Sequence, residues 1–372
     1  MRADRTVVLH RADGRKLQCL QQLPSQHVPA RPRLHPAWFL PGDLYRRLTG
    51  RQSSGVACML RPQAGIRPSG EPVARSAALE WSMPLFPPIE PFATGMLPIA
   101  GGNDMYWEAS GNPDGKPALH LHGGPGSGIQ NGYRRRFDPE RFLIVSFEQR
   151  SCGRSRPLAS DPAADLSTNT TPALVGDIEA LREFLGVERW LVSGISWGTT
   201  LALAYAQAHP DRVSELVLTA VTTTTASEVE WITEAMGRVF PREWEAFAAA
   251  ARRKPGQRLI DAYYDRITDP DPAVRAEAAC AWCAWEDVHV SLDPAYIPSP
   301  RYDDPQFRAV FATLVIHYWK HAAFIPGDGL LAGMDRLAGI AGVLIHGRLD
   351  VSSPLAKAWS LHRAWPGSEL IV

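Results

Sequence analysis

The sequence predicts an α/β fold with a mostly parallel sheet and a helical cap. Three observations point to it. From about residue 95, short apolar runs alternate with helix-like segments. Those runs are continuously apolar, as strands buried on both faces must be. Residues 222–330 break the alternation with a stretch rich in Trp, Ala and Glu, punctuated by Pro241, Pro255, Pro270, Pro294 and Pro305.

The elements follow in order. Residues 95–110 read as a hairpin turning at Gly101-Gly102-Asn103-Asp104. Strands are expected at 118–122, 142–146, 190–193 and 215–218, each a short apolar run. A helix is expected from a Thr171 cap with Pro172 in its first turn to Leu185-Gly186, and another from the turn at Ser196 to His209-Pro210. After the cap, a strand at 342–346, a helix at 354–365 and a last strand from Glu369 complete the alternation. The core therefore comprises residues 83–221 and 331–372, and the cap residues 222–330.

Residues 1–82 are of another character. They hold 13 Arg and Lys against 5 Asp and Glu, eight prolines, and neither a 3.6 nor a 2 periodicity. They lack the apolar core of a signal peptide. A disordered extension, carrying no function, is expected there.

Composition excludes several classes. The 372 residues are 45% hydrophobic with zero net charge, enough for a large core and too balanced for a nucleic-acid partner. No run of 18 apolar residues occurs, so no membrane span is expected. Five cysteines, an odd number, suit a reducing cytoplasm. Cys280-Ala-Trp-Cys283 lacks a second pair for zinc and reads as helix packing, so no metal site is expected.

Chemistry enters at Gly194-Ile195-Ser196-Trp197-Gly198. This G-x-S-x-G lies between an apolar strand and an Ala/Leu-rich helix, the context of a nucleophile elbow. The flanking glycines permit a turn that lifts the Ser196 hydroxyl clear of the sheet, above a helix N-terminus that favours negative charge. The loop His122-Gly123-Gly124-Pro125-Gly126 follows an earlier strand and can offer a bare backbone N–H. Gly124 and Trp197 are the expected oxyanion donors. Asp350, in Gly347-Arg348-Leu349-Asp350 after the late strand, stands where the acid of a Ser–Asp–His triad belongs.

Together these motifs, with Glu148-Gln149-Arg150-Ser151-Cys152-Gly153-Arg154-Ser155, resemble the proline iminopeptidase family over residues 83–372. The resemblance implies an α/β-hydrolase core, a helical cap, no cofactor, and a serine exopeptidase acting on peptides with a free N-terminal proline. It implies Glu286 as one of two glutamates that hold the substrate amine, with Trp282, Trp285 and Tyr318 walling the ring pocket. Two departures stand out. Glu148-Gln149-Arg150-Ser151 stands where the family has Asp-Gln-Arg-Gly, and Val315 stands where the second glutamate is expected, which predicts weaker amine binding. The resemblance also places the catalytic histidine in a loop after the last strand, beyond Val372. His289, His317, His321, His346 and His362 lie elsewhere, so impaired activity is expected of residues 1–372. A general esterase or amidase, and a peptide-binding protein without catalysis, remain the alternative readings.

Overall fold

The computed structural model describes residues 85–372, apart from Ala163, Pro294, Ala295 and Asp328, together with the backbone of Leu9–Arg11 and Lys16–Leu17. The expectation for residues 1–82 otherwise lies outside the described residues.

Ten strands form one sheet: β1 (Leu9–Arg11), β2 (Lys16–Leu17), β3 (Ala93–Ile99), β4 (Asn103–Gly111), β5 (Lys116–Leu121), β6 (Phe142–Phe147), β7 (Trp190–Ile195), β8 (Val213–Thr219), β9 (Ala341–Ile345) and β10 (Ser368–Ile371). Their order is β10-β9-β8-β7-β5-β6-β4-β3-β1-β2. Pairing is parallel from β10 across to β6, while β4 and β3 join antiparallel at the far side. Leu119, Ile144, Val192, Leu216 and Leu344 are fully buried along the middle of the parallel strands. This is why those strands read as continuous apolar runs rather than alternating ones.

The helices are α1 (Thr171–Phe184), α2 (Trp197–Ala208), α3 (Ala226–Thr233), α4 (Pro241–Ala250), α5 (Leu259–Ile267), α6 (Pro272–His289), α7 (Pro305–Lys320), α8 (Gly329–Ala332) and α9 (Ala356–Ala364). The Thr170 hydroxyl, one residue before the expected cap, accepts from the Ala173 N–H at 3.3 Å and starts α1. Ile178 and Leu181 of α1, Leu201 and Leu203 of α2, and Leu361 of α9 join the sheet residues in one apolar cluster. The segment between β8 and β9 is helical, and α3–α7 enclose a second cluster of their own, which includes Val229, Phe247, Tyr263, Trp282, Trp285 and Val315. No described helix is long and apolar enough to cross a membrane.

One buried ion pair joins the loop after β6 to α1. Arg150 donates to both oxygens of Asp177, at 2.5 and 2.7 Å, with each side chain 3% exposed or less. Removing one partner leaves a charge in an apolar interior with nothing to answer it. Asp177→Ala is therefore expected to lower the unfolding free energy by about 3–5 kcal/mol in urea denaturation; a change below about 1 kcal/mol would contradict it.

Candidate active site

The turn from β7 into α2 is tight. Ser196 takes φ 53° and ψ −125°, a backbone region that side-chain-bearing residues rarely enter. The residues two before and two after it must lack side chains. A Cβ on Gly194 would strike the Gly198 carbonyl oxygen, and one on Gly198 would strike the Leu121 carbonyl oxygen of β5. Ser196 thus stands between strand and helix with its hydroxyl on a cavity, as the G-x-S-x-G spacing predicts. Trp197 is the first residue of α2, so its N–H has no acceptor within the helix.

The loop after β5 comes to the same point. Gly123 lies so close that an added Cβ would sit 3.3 Å from the Ser196 Cβ. Gly124 has φ +113°, and a Cβ there would lie 2.7 Å from the Gly126 and Ser127 nitrogens. Gly124 and Trp197 line the same cavity as Ser196.

Gln149 ties loop and elbow together. Its side-chain oxygen accepts from the Trp197 indole at 2.8 Å, its side-chain nitrogen donates to the His122 carbonyl at 3.0 Å, and its backbone N–H donates to His122 Nε2 at 3.1 Å. That last bond leaves His122 Nδ1 to donate to the Gly123 carbonyl at 2.9 Å. Both ring nitrogens are committed, and burial holds the imidazole neutral by lowering its pKa. His122 shapes the loop rather than moving protons, as its place before the loop suggests.

Asp350 follows β9 and faces the same cavity. Its Oδ1 accepts from the Ser353 N–H at 2.9 Å. His346 Nε2 stands 3.9 Å from Asp350 Oδ2, yet this ring too is occupied. Nδ1 accepts from the Val221 N–H at 2.9 Å and Nε2 donates to the Ser353 carbonyl at 2.7 Å.

The cavity, of about 280 Å³, runs from Ser196 and Asp350 to Glu286 and His289 on α6, with Val229, Ile232 and Trp319 supplying apolar wall. Glu286 keeps 15% side-chain exposure, and its Oε1 accepts from the Trp282 indole at 3.2 Å. Burial disfavours the carboxylate and raises its pKa to about 7. The structure therefore brings Ser196, Asp350, Gly124, Trp197 and Glu286, separated by up to 226 positions in the chain, onto one cavity.

With that geometry in view, comparison with known proteins is decisive. Residues 117–372 match the alpha/beta hydrolase fold model. A proline iminopeptidase of Xylella fastidiosa is 44% identical over 290 residues, covering 77% of this chain and 90% of that one. A proline iminopeptidase of Arabidopsis thaliana is 42% identical over 289 residues, covering 77% of this chain and 75% of that one. The chain belongs to the proline iminopeptidase family of α/β-hydrolases. A bacterial membrane phospholipase A of known structure superposes with a TM-score of 0.50 at 16% identity, covering 75% of this chain and 77% of that one, a likeness of fold alone.

Two expectations drawn from the family meet the structure differently. Val315 is fully buried in the apolar cluster of α3–α7 and does not line the cavity. Trp282, Trp285 and Tyr318 are likewise 2% exposed or less and do not line the cavity; of the tryptophans on α6 and α7, Trp319 is the one that does. The reason is packing. Every residue of α7 from Val310 to Tyr318 is buried, and α6 buries Trp282, Trp285 and His289 alike, so the sequence does not distinguish a core-facing aromatic side chain from a cavity-facing one. Sequence reasoning also set His289 aside, although it lines the cavity. Ser151, where the family has glycine, sits at φ 63° and accepts from Asn169 Nδ2 at 3.1 Å, which offsets part of the left-handed cost.

The elbow's strain has a measurable consequence. Ser196→Gly relieves the positive φ, whereas Ser196→Ala retains it, so the glycine variant is expected to be more stable by about 1–2 kcal/mol in chemical denaturation. Equal stability of the two would contradict the strained turn.

Proposed function

We propose that this chain is a serine exopeptidase that releases proline from the N-terminus of peptides through an acyl-enzyme. The observation that carries the reading is the shared cavity: a strained serine and an acid stand on the wall that also holds a buried, nearly unpaired glutamate. A hydrolase with no interest in a free amine has no use for a carboxylate buried there, since burial costs several kcal/mol unless a cation answers it.

In this reading Ser196 Oγ attacks the prolyl carbonyl carbon and its proton passes to the histidine that the family resemblance places in a loop after the last strand, oriented by Asp350. The N–H groups of Gly124 and Trp197 hold the developing oxyanion, each contributing about 3 kcal/mol to the transition state. The C–N bond breaks, the leaving amine takes the proton, and water then cleaves the prolyl ester. His346 does not serve as the base, since both of its nitrogens are already bonded. Helices α3–α7 act as the cap that closes over the site, and Glu286 on α6 holds the substrate's imino group. The described cysteines, Cys152, Cys280 and Cys283, are free thiols, which supports action in a reducing cytoplasm.

The test uses the full-length protein on proline 4-nitroanilide and its N-acetyl derivative. Hydrolysis of the first and not the second is expected; equal turnover of both would overturn the exopeptidase reading. Glu286 binds the cation as the carboxylate, so KM should fall as pH rises through about 7, the pKa to which burial raises it. Glu286→Gln should remove that inflection and raise KM by about 10- to 100-fold, the worth of a charged hydrogen bond.

A further inference from the structure

Resting on the exopeptidase reading, one further group on the cavity wall has an open bonding position. His289 is 3% exposed and sits one turn beyond Glu286 on the same face of α6. Its Nδ1 lies 2.8 Å from Ser352 Oγ, while that hydroxyl donates to the His289 carbonyl at 2.9 Å. A serine hydroxyl has one proton. Since that proton goes to the carbonyl, Nδ1 must be the donor of the second contact. The tautomer is thereby set, and Nε2 carries a lone pair.

That lone pair has no hydrogen-bond partner. Glu286 Oε2 stands 3.7 Å away, a neighbour beyond hydrogen-bond distance. Burial keeps the ring neutral by lowering its pKa to about 4. The cavity's other acidic side chains are differently placed. Glu228 is saturated by five hydrogen bonds from Thr222, Thr223 and Thr225, and Asp350 is bonded to the Ser353 N–H. Glu286 Oε2 and His289 Nε2 therefore form a pair of neighbouring open acceptors on the wall of the cavity that Ser196 also lines.

We propose that His289 is a specificity-determining residue, and that its Nε2 and the Glu286 carboxylate together accept the two N–H bonds of a protonated N-terminal proline. A secondary ammonium has two hydrogens to give, and the site offers two acceptors. A primary ammonium, as on an N-terminal alanine, has three and leaves one without an acceptor of this pair. One negative charge and one neutral acceptor thus do the work for which the family resemblance implies two glutamates.

Calorimetric titration of the full-length protein with L-prolinamide, L-alaninamide and N-acetyl-L-prolinamide tests this without requiring turnover. Prolinamide should bind at least about tenfold more tightly than alaninamide, the worth of one hydrogen bond. His289→Leu should weaken prolinamide about tenfold, and His289→Gln, whose amide oxygen can accept, should hold it within about threefold. In nitrogen NMR of histidine-labelled protein, His289 Nε2 should be unprotonated when free and shift on adding prolinamide, a change no purely structural role produces. Should His289→Leu misfold, Ser352→Ala keeps the question open to measurement, because freeing Nδ1 lets the tautomers mix and should weaken prolinamide about threefold. Wild-type affinity in His289→Leu together with loss in Glu286→Gln would overturn the role of His289 and leave the exopeptidase reading standing. Equal binding of N-acetyl-prolinamide and prolinamide by the wild type would overturn both.

Discussion

The site depends on a backbone constraint at one residue. Ser196 is held in a left-handed conformation because β7 must reverse into α2 while both remain packed on β5. Only a missing Cβ at Gly194 and Gly198 leaves room for carbonyl oxygens to pass at that spacing. The strained turn aims a hydroxyl outward, frees the first N–H of α2, and brings the Gly123-Gly124 loop alongside. Gln149 then fixes loop and elbow by bonding His122 on one side and Trp197 on the other. The reacting end of the cavity is thus assembled from rigid backbone, the form of preorganisation that costs least at the moment of reaction.

The acidic part of the wall is governed by charge. Two glutamates face the cavity and differ in what surrounds them. Glu228 is consumed by threonine donors at the start of α3, whereas Glu286 has a single weak donor and an open oxygen. A carboxylate left in that condition favours its protonated form until a cation arrives. Ile232 and Trp319 supply apolar wall that suits the methylenes of a pyrrolidine ring, so in the proposed reading ring and amine meet different parts of one surface.

Local chemistry was legible in the sequence and collective packing was not. The elbow, the glycine loop and Asp350 are each written in a few consecutive residues beside an apolar strand, and the structure places all of them on one cavity. The strand pattern was legible for the same reason: burial on both faces leaves a run with no polar interruption. The cap was harder. Trp282, Trp285 and Tyr318 are buried and the neighbouring Trp319 is partly so, and which ring faces the cavity depends on how α6 and α7 pack against each other. His289 was invisible for another reason. Its meaning rests on a tautomer set by Ser352, 63 residues away, and no local pattern announces such a pair. Val315 likewise reads as a missing carboxylate in sequence and as ordinary cap core in space.

The most direct measurement is covalent. A phosphonate diester analogue of proline with a free imino group is incubated with the full-length protein, and the adduct is mapped by tandem mass spectrometry. The account predicts one adduct, on Ser196, suppressed by excess prolinamide. An adduct on another residue, or labelling of Ser196 that prolinamide does not suppress, would contradict it.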